Sequence, residues 1–148
     1  MYESVVVEQD ILTTYSNEIV LYPSAFALET LKTKSFTIDG KAVLVLDDIE
    51  KFARPVAYSI KGYSNRGTGI IRLVNWPLVT QKIKLHGIPA ILSSKQPLGV
   101  WKLEVFTASS NSSSGEEGEV YLTPDAKTEY FGNFSIDSSY SNVSIKTT

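Results

Sequence analysis

The sequence predicts an all-β domain built as a two-sheet antiparallel β-sandwich, and three observations carry that prediction. Runs of roughly four to eight β-branched, aromatic or alternating residues recur along the whole chain. Gly, Pro, Asn and Ser turns separate them at short intervals. Helical periodicity is almost missing, so the crossover helices that a parallel sheet requires have no place in the chain.

Taken in order, Ser4–Glu8 is a β-branched run, and Glu18–Tyr22 is a second one stopped by Pro23. Between Ser24 and Leu31, a capping Ser24 with Phe26, Leu28 and Leu31 turned inward fits one short helical turn, and a strand fits as well. Lys41–Leu46 is apolar on both faces and reads as a central strand, ended by Asp47 and Asp48. Val56–Tyr63 follows Pro55 with Val56, Tyr58 and Ile60 on one face, and Gly67, Thr68 and Gly69 read as a turn into Ile70–Val74. Leu78–Leu85 sets Ile83 and Leu85 against Lys82, Lys84 and His86. The clearest strand is Gly99–Phe106, where Trp101, Leu103 and Val105 share a face opposite Lys102 and Glu104. Those three side chains are expected between the sheets, with Val43 and Val45 among their neighbours. Glu119–Leu122, Thr128–Ile136 and Asn142–Lys146 complete the set. The serine-rich stretch Ser109–Gly115 is too polar for a core and reads as a mobile surface loop. No linker or repeat divides the chain, so residues 1–148 are expected to form one domain.

The totals narrow the function. A chain of 148 residues can bury a sizeable core without staples, and the absence of cysteine excludes disulfides and thiolate metal sites. The net charge is -2, from 14 basic and 16 acidic residues, and the longest basic run is the alternating pair Lys82 and Lys84. Direct binding of nucleic acid needs a cluster of cations, so it is not expected. Met1-Tyr2-Glu3-Ser4 lacks the basic and apolar regions of a signal peptide and reads as a leaderless start. No stretch is long enough to cross a bilayer as a helix, which leaves contact with a membrane open.

Candidate chemistry is sparse. His86, the single histidine, alternates with Lys82 and Lys84 and reads as an exposed turn residue beside Gly87. Asp47, Asp48 and Glu50, with Asp39 upstream, offer oxygens for Ca²⁺, but without the EF-hand spacing they read as strand terminators. Glu116, Glu117 and Glu119 flank the serine stretch, a poor platform for paired-carboxylate chemistry. Gly62, Gly67 and Gly69 open no helix, so they read as turn residues and not as a phosphate cradle, and no serine sits in a Gly-x-Ser-x-Gly context. Trp76, in Asn75-Trp76-Pro77, is the better contact residue for a sugar than the core-facing Trp101, with packing under a loop as the alternative. Asn111, Asn133 and Asn142 match the glycosylation acceptor pattern, which arises easily by chance in a serine-rich chain. The expectation is no enzyme activity, and no catalytic, cofactor-binding or metal-binding residue.

The segment Gln96-Pro97-Leu98-Gly99-Val100-Trp101-Lys102-Leu103-Glu104-Val105 resembles the Pro-x-Gly-x-Trp-x-Leu-x-Val strand of many immunoglobulin-like sandwiches. In its size, short even strands, Ser, Thr and Tyr richness and lack of catalytic groups, the whole chain resembles the single jelly-roll capsid proteins of icosahedral viruses. That resemblance favours a jelly roll over immunoglobulin-like connectivity. It implies a self-assembling shell subunit located in a virion, whose partners are other copies of itself and other structural proteins. The alternative is an immunoglobulin-like surface adhesin or a carbohydrate-binding module, extracellular or at the cell surface. Ser4–Glu8 and Asn142–Lys146 bear on the choice, because both alternate without Pro or a bulge-making Gly. Such ends pair either with neighbouring copies or within their own domain.

Overall fold

Strands form almost wherever β-branched and aromatic runs meet turn residues. The computed structural model describes residues 2–30, 37–38, 40–114, 118, 120–138 and 144–146. Its elements are β1 (Tyr2–Ser4), β2 (Ile11–Tyr15), β3 (Ile19–Tyr22), β4 (Ala25–Ala27), β5 (Thr37–Ile38), β6 (Lys41–Ala42), α1 (Leu46–Glu50), β7 (Ala53–Ile60), β8 (Gly67–Asn75), β9 (Val79–Leu85), β10 (Ile88–Ile91), β11 (Ser94–Thr107), β12 (Ser110–Ser114), β13 (Val120–Pro124), β14 (Glu129–Asp137) and β15 (Ser144–Lys146). The chain is all-β, as its periodicity predicts. Its main sheet is antiparallel, with seven strands in the order β3-β7-β8-β11-β14-β2-β4.

That sheet curls. β3 and β4 are its two edges, yet only Pro23 and Ser24 separate them in sequence. Consecutive Cα atoms are about 3.8 Å apart, so the edges approach within about 11 Å. The Ser24 carbonyl accepts the Thr14 N–H at 2.9 Å and the Thr14 hydroxyl at 2.8 Å, carrying the pairing with β2 round the corner. Period-two alternation then turns one face of every strand into a shared core that includes Leu12, Leu21, Tyr58, Ile71, Trp101, Leu103, Tyr130 and Phe134, with Val105 packed at its margin. Gly132 permits a close approach in this core, since a Cβ there would lie 2.3 Å from the Trp101 ring. On the outer face, Lys102 and Glu104 join a charge ladder, with Arg72–Glu104 at 3.4 Å, Lys102–Glu104 at 3.3 Å and Lys102–Glu129 at 3.9 Å.

Beside the curled sheet, three segments meet in a ring of backbone hydrogen bonds. Val6 N–H donates to the Ile91 carbonyl at 3.0 Å, Ile91 N–H to that of Leu44 at 3.2 Å, and Leu44 N–H to that of Val6 at 3.0 Å. Antiparallel bridges Val5–Leu92, Val7–Val43 and Val45–Ala90 flank the ring. Side-chain parity splits the apolar residues between two clusters. Val6, Leu44 and Ile91 enter the main core, whereas Val5, Val7, Val43, Ala90 and Leu92 form a second one with Ile38, Leu78 and Ile83. The expectation for Val43 is thereby corrected. It lies one residue out of phase with the Trp101 face, and Leu44 takes that place. Val45 is buried at the start of α1.

Several other local readings change. Lys41–Leu46 is not one long strand: Lys41 and Ala42 pair with β5, Val43 and Val45 make single bridges, and Leu46 opens α1. Asp48 begins a helix instead of ending a strand, because its carboxylate accepts the Val45 N–H at 2.9 Å and the Thr30 hydroxyl at 3.1 Å. Of the two options at Ser24–Leu31, the strand is found. Phe26 and Leu28 are buried, and Leu31 lies outside the described residues. Gly67 and Gly69 belong to β8, not to a turn, and Gly67 lies against the Tyr58 ring, 2.3 Å from where its Cβ would be. The serine-rich stretch is a strand in its described part, Ser110–Ser114, paired with β13. Ser109 is fully buried, its N–H donating to the Tyr58 hydroxyl at 2.9 Å and its own hydroxyl to the Asn65 carbonyl at 2.5 Å. Finally, β1 pairs with β15, and Val5, Val6 and Val7 are wholly buried, so the ends pair within the domain.

The ring makes Leu44 a test residue, since its side chain fills the main core while its backbone closes the ring. Leu44→Ala is expected to lower unfolding stability by about 2–5 kcal/mol in urea denaturation, the range for a buried leucine. Val20→Ala, at an exposed position on the outer face of β3, should change it by less than about 0.5 kcal/mol.

Candidate functional site

The chemistry-bearing residues do not converge. Among the described residues, no three His, Asp or Glu side chains group as a metal ion would require. His86 is exposed at the tip of the β9–β10 hairpin, where His86 and Gly87 adopt φ of 51° and 81°, and Leu85 pairs with Ile88 across them. Asp47 pairs with Lys51 at 3.1 Å, Asp48 is committed to the start of α1, and Glu50 is exposed. Asp39, Glu116, Glu117 and Glu119 lie outside the described residues.

Trp76 is not a surface contact residue. It is buried, its indole N–H donates to the Leu92 carbonyl at 2.9 Å, and its ring stacks on Phe134 at 5.2 Å between centroids. Burial of an indole succeeds when the N–H finds a partner, and Leu92 supplies it. Trp101 does the same with the Asn133 carbonyl at 2.8 Å. Of the three acceptor-pattern asparagines, Asn111 holds the 62–65 loop. Its amide oxygen accepts the Ser64 N–H at 2.8 Å, and its nitrogen donates to the Gly62 carbonyl at 2.7 Å. Asn133 donates to the Gly99 carbonyl at 3.1 Å, and Asn142 lies outside the described residues.

Two surface features stand out, and neither is visible as a motif. The first is the ribbon of β12 and β13. The two strands pair only with each other among the described residues, and the ribbon is tied to the body through Ser110 and Asn65, whose backbones exchange hydrogen bonds at 2.8 and 3.1 Å. Along β13, Val120, Tyr121 and Leu122 are 66%, 54% and 64% exposed. Successive strand residues face opposite ways, so both faces of the ribbon are apolar at its outer strand. The second feature is a hollow of about 230 Å³ beside the β2–β3 turn, with Tyr15, Phe131, Pro97 and Asn17 in its walls.

One buried titratable group lies outside both features. Asp10 is fully buried; one carboxyl oxygen accepts the Val7 N–H at 2.9 Å, and the other has no hydrogen-bond partner among the described residues. Burial raises its pKa above the ordinary 3.8, against the opposing pull of the Val7 N–H and of Lys41. A folded carboxyl with a raised pKa holds its proton more tightly than the unfolded chain does. Its contribution to stability is therefore greatest below pH 3.8 and declines as pH rises through the folded value. Asp10→Asn cannot ionise. Relative to the wild type it is expected to gain stability as pH climbs from acid to neutral, read as urea midpoints over a pH series. A difference that stays flat across that series contradicts this account of Asp10.

No protein-family model matches the chain, and comparison with curated proteins finds no match.

Proposed function

We propose that this chain is a non-catalytic structural subunit that assembles with copies of itself, in the manner of a virion shell protein. The observation that supports this reading most is the β12–β13 ribbon. A two-stranded ribbon is marginal in water on its own, and an exposed apolar patch on one marks a surface meant to be covered. Natural proteins blunt open edges with Lys, Pro or inward charge. From Val120 to Thr123 this edge carries none of these, and Pro124 stands only at its end. Pairing along a backbone edge needs no side-chain code, so an identical strand on a second copy is a suitable partner. A net charge of -2 puts little repulsion between copies. The two chain ends give this reading no support, since they pair with each other.

The finer architecture belongs to the same proposal: a two-layered antiparallel sandwich, of the jelly-roll type that shell proteins use. The curl of the seven-stranded sheet supports the layered part of this reading. From β7 through β8 and β11 to β14, neighbours in the sheet follow chain order, with short excursions between them, a run that jelly-roll and immunoglobulin-like sandwiches each contain only in part.

Light scattering on the full chain tests the proposal. The wild type is expected to show a mass well above one chain that grows with concentration. The double variant Val120→Lys, Leu122→Lys should return it to a single chain with an unchanged β circular dichroism spectrum. A wild type that stays monomeric at high concentration overturns the proposal, as does assembly that survives the double substitution.

A further inference from the structure

We infer that the hollow beside the β2–β3 turn binds a neutral oligosaccharide through Tyr15 and Phe131. Both aromatics come from the outer face of the curled sheet. Tyr15 pairs with Asn133 across β2 and β14 and its hydroxyl reaches Ser135 Oγ at 3.4 Å, whereas Phe131 lies two residues to the other side of Asn133, so the two rings flank Asn133 on one face. They are 47% and 53% exposed, and both line the same 230 Å³ space. A single exposed aromatic is ordinary, but two rings sharing one concavity with Pro97 form a platform.

The polar groups at the rim decide what the platform fits. The Ser16 hydroxyl accepts the backbone N–H groups of Glu18 and Ile19 at 3.1 and 3.3 Å, which fixes the turn and holds Asn17 at its tip. The Asn17 amide, a donor and an acceptor together, makes no hydrogen bond among the described residues. Glu18 is the one acidic group in the hollow, and Lys127 neutralises it at 2.7 Å. The site therefore combines flat apolar faces with an uncommitted amide and no uncompensated charge. A sugar ring has the matching chemistry: an apolar face of C–H groups, bordered by hydroxyls that donate and accept. Within this first hollow a charged ligand finds no counter-charge, and a purely apolar one leaves the amide unsatisfied.

The surroundings favour a chain of sugars over a single ring. The hollow is smaller than the roughly 300–1,000 Å³ of pockets for drug-sized ligands. It adjoins two more, of about 320 and 510 Å³, and Ser16 and Asn17 line all three. The three run from the Tyr15–Phe131 platform around the turn towards Ser59, Lys61 and Tyr63, a path for successive units of a linear oligosaccharide whose far units would meet the Lys61 cation.

Isothermal titration calorimetry on the full chain tests this with neutral mono-, di- and trisaccharides of glucose, galactose, mannose and N-acetylglucosamine. At least one series is expected to bind, with affinity rising from mono- to trisaccharide. Tyr15→Ala and Phe131→Ala should each weaken the trisaccharide by roughly threefold to tenfold, as loss of one stacking face does. Asn17→Ala should weaken it as well. Phe106→Ala removes an equally exposed ring that does not line the hollow, and should leave affinity unchanged. The inference is overturned if no series binds, or if binding persists in Tyr15→Ala and Phe131→Ala proteins that retain the wild-type circular dichroism spectrum.

Discussion

The ring of hydrogen bonds among Val6, Leu44 and Ile91 is the constraint on which the rest of the chain depends. Each of the three segments is buried on both faces, so its backbone groups have no water to turn to. The ring meets that demand with one donated and one accepted bond per residue, at 3.0 to 3.2 Å. It joins positions near the start, the first third and the middle of the chain, so it closes only after long loops have been ordered. Once closed, it fixes the parity of every neighbouring residue. That parity divides the apolar side chains between two clusters, and Trp76 ties them together by hydrogen-bonding Leu92 while stacking on Phe134.

This arrangement explains which parts of the fold are legible in the sequence. Where a strand has one buried face, period-two alternation reports it directly, as in Gly99–Phe106. Within Lys41–Leu46, residues Ala42, Val43, Leu44 and Val45 are all buried, and that produces the same unbroken apolar run whether the segment is the middle of a sheet or one side of a three-way junction. Asp47 and Asp48 look like a stop signal, because the carboxylate that opens α1 is recognisable only once the Val45 N–H and Thr30 are seen to converge on it. The serine-rich stretch is hidden for a related reason. Composition reports its polarity, but the partners that permit burial of Ser109, Tyr58 and Asn65, come from a distant part of the chain.

The candidate sites were less legible than the fold. Trp76 and Pro77 do lie between β8 and β9, as a turn-like sequence should, but local sequence sets the backbone path and not the side to which the ring turns. Tyr15 and Phe131 are unremarkable in their own segments, being the outward residues of two strands, and only the pairing of β2 with β14 sets them on one platform. Val120, Tyr121 and Leu122 were legible as a strand. Their exposure was not, because a short apolar run looks the same whether or not anything covers it.

The run from β7 to β14 contains two excursions, and their contrast bears on function. Between β8 and β11 the chain makes the β9–β10 hairpin, whose far end sends Ala90, Ile91 and Leu92 back into the two cores. Between β11 and β14 it makes the β12–β13 ribbon, whose apolar residues return to neither core. The first excursion is required by the fold, since without Ile91 the ring cannot close. The second is anchored through serine and asparagine hydrogen bonds at its base and leaves Val120 and Leu122 largely exposed. An apolar strand that contributes nothing to its own core carries a solubility cost with no folding gain to offset it. The proposed assembly would remove that cost, because a second copy would cover those residues.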